Sequence, residues 1–344
     1  MLRKFLLAGL TAVAFSSVGW IASAAEVTLK LHQMLPPQAT IPAKVLTPWA
    51  EAIKKDSGGR IEVELYHAMQ LGGKPGDLVD QVKDGVIDVT WTVIGYTPGR
   101  FPKSEAFELP FMITTAEKSS QAFYEYYEKH LKEEFADYHV LAVHTHGPGI
   151  LHTVGGKTIN SVEDMNGLKL RGTSKVVNAL LETMGASPVG MPVTAVPEAL
   201  SKSVIEGTVV PWEVTPAIKI AELAPNHTTF SGDRGLYTAT FLFAMNKESY
   251  DALPDDLKQV IDKHSGIALA KQFGIAMDQG DIRGKKIAED AGNKIIVLDE
   301  AETNKWKELA NTVTTNWIED MDAKGLDGST LYNDAVALID KHNQ

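Results

Sequence analysis

The sequence predicts an α/β protein of two lobes with a cleft between them and a long helical region at the C-terminal end. Three observations predict it. The chain opens on alternating strand and helix patterns, the same grammar restarts after residue 140, and from residue 249 onward the pattern turns mainly helical.

Residues 27–32 alternate apolar and polar side chains with period two, a strand. Residues 41–56 read as a helix stopped by Ser57-Gly58-Gly59. Ile61, Val63 and Leu65 alternate with Glu62 and Glu64, a second strand. The Gly72-Gly73 turn leads into a short helix with Leu78, Val79 and Val82 on one face and Gly85 at its end. Residues 86–91 are nearly all apolar, a strand covered on both faces. This β-α-β-α-β opening argues for a largely parallel sheet. Strands at 140–143 and 168–170, a helix at 176–184 ended by Gly185, and a strand-like stretch at 237–245 follow. Helices are expected at 255–273, 281–291 and 300–321. Trp306, Leu309, Val313, Trp317 and Ile318 form the docked face of the last of these.

Residues 1–24 read as a cleaved signal peptide. Arg3 and Lys4 precede an apolar run at 5–21, and Ala22-Ser23-Ala24 supplies the small-x-small site, so cleavage is expected near Ala24 and the location is periplasmic. The chain carries 33 Lys+Arg against 44 Asp+Glu and no Cys. An acidic balance argues against nucleic acid as partner. The missing cysteines exclude disulfides, thiolate metal sites and Cys nucleophiles. GxGxxG after a strand, GxxxxGK[ST], GxSxG and HExxH are all absent. Asp255-Asp256 and Glu133-Glu134 read as helix first-turn or solvated carboxylates. His144-Thr145-His146 follows a strand and, with Glu213, supplies the competing reading of an exported metal-assisted hydrolase.

The informative segment is 162–220. In "GLKLR", Arg171 ends a short strand and is followed by Gly172-Thr173-Ser174 and a helix. Backbone N–H groups, the helix dipole and a planar guanidinium would converge there on one anion. "GLKLR", "MGASPVGMPVTAVPEAL" and "VIEGTVVPWE" resemble the DctP-like solute-binding proteins of tripartite ATP-independent periplasmic (TRAP) transporters. So do "SGGRIEVELYHAMQLGG", "QVKDGVIDVTW", "FELPFM" and "MNKESYDALPDDLKQVI", in the family's order and over essentially the whole mature chain.

The resemblance implies a two-lobed periplasmic-binding-protein fold that closes on a small carboxylate without catalysis. It implies that Arg171 grips the carboxylate and that Trp91, Val93 and Tyr96 line the pocket. Val193, Val210, Trp212 and Glu213 are expected to complete it, with His32 and His146 pointing toward the same region. It also implies docking on TRAP permease membrane subunits; a monomer is expected. The lobes are expected at 25–146 with about 238–275, and at 147–237 with about 276–322; residues 323–344 form a C-terminal helix.

Two departures bear on the ligand. Gly147-Pro148-Gly149-Ile150 stands where the sialic-acid branch has a second Arg, and 208–213 lacks the usual acidic-amide run. Loss of these polar groups disfavours sugar acids. Trp91, Tyr96 and Trp212 favour an aromatic or short-chain monocarboxylate. Glu213 is the candidate to hold a bridging divalent cation such as calcium, with no other cofactor expected.

Overall fold

The computed structural model describes residues 25–344, so the signal-peptide reading of 1–24 lies outside the described residues. The chain begins with β1 (Val27–Gln33), β2 (Ile61–Tyr66), β3 (Val89–Val93) and β4 (Tyr138–Thr145). It continues through β5 (Ile150–Thr153), β6 (Lys169–Gly172), β7 (Ser187–Gly190), β8 (Gly207–Val210) and β9 (Asn226–Thr229). It then enters β10 (Thr240–Asn246) and finally β11 (Lys294–Val297).

Two sheets result, with orders β2-β1-β3-β10-β4 and β11-β9-β5-β8-β6-β7. The chain leaves the first sheet after β4 and returns to it only at β10, which pairs antiparallel with both β3 and β4. β1, β2 and β3 pair in parallel, as the opening predicts. Leu29 and Leu31 are buried while Lys30 between them is exposed, the period-two pattern of a strand with one face on a core.

One helix boundary and one strand boundary differ from expectation. The stretch 255–273 is not one helix: Asp255–Lys263 ends before Gly266, whose φ of +84° stops it, and a new helix runs unbroken over Ile267–Asp290. Gly274, Gly280 and Gly284 inside it do not break it, because each lies where another backbone or side chain presses against the helix. The strand expected at 86–91 begins instead at Val89; Gly85 (φ +69°) ends the preceding helix and leaves Val86 exposed.

The Ile267–Asp290 helix ties the two sheets together. The Asp278 carboxylate accepts from the N–H groups of Ala116 and Glu117, at the start of the Ala116–Tyr126 helix of the first half. One turn later the Asp281 carboxylate accepts from the Glu213 N–H at 2.7 Å, in the short turn after β8. Both carboxyls accept from first-turn N–H groups that lack an intrahelical partner.

The last two helices straddle the molecule. Glu300–Ala323 packs on the Lys175–Thr183 helix, and Gly328–Asn343 packs on Ala116–Tyr126. Trp306, Val313 and Trp317 are buried as the spacing predicts, but Leu309 is exposed; Ala310 and Met321 take the docked stripe instead.

Candidate functional site

A cavity lies between the sheets, lined by residues of both. Trp91 and Val93 on β3, Tyr96 just beyond it, and Phe241 on β10 form one wall. Arg171 at the end of β6, Thr173, Val193, Val210 and Glu213 form the other.

Arg171 is 1 % exposed. Its Nε donates to the Met191 carbonyl at 2.8 Å, and Nη1 donates to the Thr173 hydroxyl at 2.8 Å and the Val209 carbonyl at 3.3 Å. Nη2 has only a 3.5 Å approach to the Tyr96 hydroxyl. Among the described residues no carboxylate lies within ion-pairing distance of this guanidinium, whereas Arg60, Arg100 and Arg234 all have one. A buried cation without a counter-ion is costly to keep, and an anion in the cavity relieves that cost.

Tyr96 crosses from the first wall to the second. Its hydroxyl oxygen accepts from the Val193 N–H at 2.9 Å, leaving its own proton free to donate. Beside it Gly95 sits so close to the second wall that a Cβ there would lie 2.6 Å from the Ser174 Cβ. Ser174 in turn caps the Lys175–Thr183 helix, accepting from the Val177 N–H. Glu213 is 5 % exposed, with its Oε1 unpartnered, and burial pushes its carboxyl up to about 7 against a smaller opposing pull from the Thr40 hydroxyl. The cavity thus offers cationic and hydroxyl donors at one place, one carboxyl acceptor, and otherwise mainly apolar wall.

The family model for "Bacterial extracellular solute-binding protein, family 7" (DctP) matches residues 32–320. The chain belongs to the DctP family. It is 50 % identical to a marine-metagenome TRAP solute-binding protein specific for aromatic acid ligands, solved with 3-hydroxybenzoate, at a TM-score of 0.91 over 93 % of this chain and 100 % of that one. A TRAP solute-binding protein from Rhodoferax ferrireducens, with copurified benzoate, is 46 % identical at a TM-score of 0.90, covering 92 % and 98 %. A third, from Bordetella bronchiseptica with bound mandelate, is 30 % identical at 0.84, covering 91 % and 99 %. This DctP-family protein is therefore a transport receptor of the TRAP type, not an enzyme.

Within the DctP-family cleft the expected site residues divide. Arg171, Trp91, Val93, Tyr96, Val193, Val210, Glu213 and His146 line one cavity. Trp212 does not: it turns away to pack with Ile150 and Ala288, edge-on to His152 and His227. His32 is also elsewhere, its Nδ1–H directed at the Gln81 side-chain oxygen (2.8 Å) and its Nε2 accepting from the Leu71 N–H. His146 reaches the cavity but has no nitrogen to spare, because Nε2 accepts from the Ala239 N–H and Nδ1 faces the Gly147 carbonyl. His144 is likewise spent, accepting from the Trp91 Nε1–H at 2.8 Å and donating to the Thr145 carbonyl. Neither imidazole is free for the metal of the hydrolase reading, and among the described residues no group of three or more His, Cys, Asp or Glu gathers to hold one.

Tyr237, Phe241 and Met277 also line the cavity, with Met34 and Leu35 from the segment after β1, and none of these was expected from sequence. Phe241 stacks on Trp91 at 5.3 Å, and Tyr237 donates to the Val209 carbonyl that also receives Arg171. A Cβ on Gly149 would lie 2.0 Å from the Tyr237 ring, so this glycine is the space that ring occupies.

Burial drives the His144 and His146 imidazoles down, to about 3 and about 4. Unfolding restores the ordinary value of 6.5, so the unfolded chain binds the extra protons below it. These two groups leave stability untouched above that pH and erode it as pH falls toward their folded values. The raised Glu213 acts oppositely, holding its proton in the fold and eroding stability as pH rises from 4.5 to about 7. Imidazole NMR at pH 5 should show both histidines neutral; a His146 titrating near 6.5 would contradict the assigned hydrogen bonds.

Proposed function

We propose that the protein is the periplasmic capture subunit of a TRAP transporter for an aromatic monocarboxylate. The observation that carries this reading is the Arg171 guanidinium, buried and without a carboxylate partner, opening on an otherwise mainly apolar cavity. The ligand carboxylate would take the free Nη2 N–H groups and the Tyr96 hydroxyl proton. The ring would lie against Trp91, Phe241 and Val93. Benzoate, 3-hydroxybenzoate and mandelate, bound by the three similar proteins, are acids of this shape.

Capture is a population shift. Arg171 belongs to one wall, Trp91 and Tyr96 to the other, so only the closed cleft completes both sets of contacts. In this reading the carboxylate is held by the guanidinium itself, without a bridging calcium. The closed protein, a monomer cleaved near Ala24, docks on the TRAP permease subunits.

A thermal-shift panel tests the assignment. Benzoate-type acids at about a hundred times Kd should add about 2.7 kcal/mol, several degrees for a chain this size. Sialic acid, galactonate and succinate should give no shift, and calcium should change none of these results. A shift with sugar acids or dicarboxylates and none with benzoates would overturn the reading.

A further inference from the structure

Among the polar groups lining the cavity, three keep hydrogen-bonding capacity that the protein does not use. Two are donors that sit together, Nη2 of Arg171 and the proton of Tyr96. The remaining polar liners are engaged with the protein: His146 at both nitrogens, Tyr237 on the Val209 carbonyl, Thr173 under Arg171. The third free group is Glu213 Oε1, an acceptor, buried and unpartnered.

Glu213 is held in place from behind. The Asp281 carboxylate takes its backbone N–H, and Gly280 of the long helix leaves room for its stem; a Cβ there would meet the Glu213 Cγ at 2.5 Å. Its neighbours (Thr40, Gly280, Asp281) are not those of Arg171 (Thr173, Met191, Val209, Tyr96). Arg171 bears on the ionisation of Tyr96, Tyr237 and His146, whereas that of Glu213 answers to burial and Thr40. Guanidinium and carboxyl therefore stand apart on the lining of one cavity, with none of these neighbours in common.

We propose that Glu213 is a specificity-determining residue, whose Oε1 accepts a hydrogen bond from a hydroxyl carried on the ring of the bound acid. This rests on the aromatic-acid reading and narrows it to hydroxylated acids. A ligand with an anion at one end and an O–H at the other satisfies all three free groups. An unsubstituted ring leaves a buried acceptor unpaired, which is where discrimination between near-isosteric ligands is largest.

The test is titration calorimetry of the wild-type protein, E213Q and E213M with benzoate and with 2-, 3- and 4-hydroxybenzoate. The best hydroxybenzoate should bind wild type roughly tenfold or more tighter than benzoate. E213Q, which keeps an acceptor oxygen, should retain a preference; E213M should bring the two acids to within about threefold. The fluorobenzoate substituted at the preferred position, which lacks the donor, should bind wild type like benzoate, a result that needs no variant to fold. An E213M ratio equal to that of wild type, or a fluorobenzoate matching the hydroxybenzoate, overturns the inference alone. Failure of wild type to bind any of these acids overturns the aromatic-acid reading and this inference with it.

Discussion

Replacing Arg171 by methionine should raise the Kd for benzoate-type acids roughly a hundredfold or more, with the ligand-free fold little changed. The two effects separate because the guanidinium is buried without a carboxylate partner. In the complex it meets the ligand's charge in a desolvated cleft, and removing one member of such a pair costs about 2–5 kcal/mol. Without ligand the same substitution removes an uncompensated buried charge but strands the carbonyls of Met191 and Val209. These opposing terms are each of order 1–3 kcal/mol and largely offset. Arg171→Lys keeps the charge but loses the planar fork, so it should fall between. Calorimetry beside a thermal melt of the apo protein checks both; a variant that binds normally removes Arg171 from the site.

Gly284→Ala should lower stability by about 2–3 kcal/mol, although alanine is the better helix former by about 1 kcal/mol. A Cβ at this position would lie 1.9 Å from the Trp212 carbonyl oxygen and 2.7 Å from its carbon. Backbone cannot swing aside as a side-chain tip can, so the Ile267–Asp290 helix would have to lift off the turn carrying Glu213. That lift also loosens the Asp281 cap on the Glu213 N–H. The expected result is a melting temperature lowered by several degrees together with weaker ligand binding. A raised melting temperature would mean that propensity outweighs packing here.

Those glycines also show why parts of the fold were illegible. Alternation in β1 and β2 needs only local sequence, and it read correctly. The helix break was expected in the region of Gly274 and Gly280, but the stop is at Gly266. A glycine that adopts positive φ and one that admits a neighbouring chain look alike in sequence. Gly274, Gly280 and Gly284 admit Ala116, Glu213 and Trp212, partners set only by tertiary packing.

The site divides along the same line. Arg171 was legible from local order, at the end of a strand before a helix, whereas Trp91 and Tyr96 were expected only through the family resemblance of the segment that follows "QVKDGVIDV". Trp212 and Glu213 were both expected in the pocket, but they are adjacent, and the short turn after β8 sends Glu213 in and Trp212 toward His152 and His227. His32 and His146 look like free imidazoles until Gln81, Leu71 and Ala239 are seen to occupy their nitrogens. Tyr237, Phe241 and Met277 arrive on segments distant from Arg171, and no local pattern marks them as lining the cavity.

The most direct measurement is a crystal structure of the protein with bound benzoate. The carboxylate should lie within hydrogen-bond distance of Arg171 Nη2 and the Tyr96 hydroxyl, with the ring against Trp91 and Phe241. A benzoate whose carboxylate lies away from Arg171, or one bound outside this cavity, would contradict that placement.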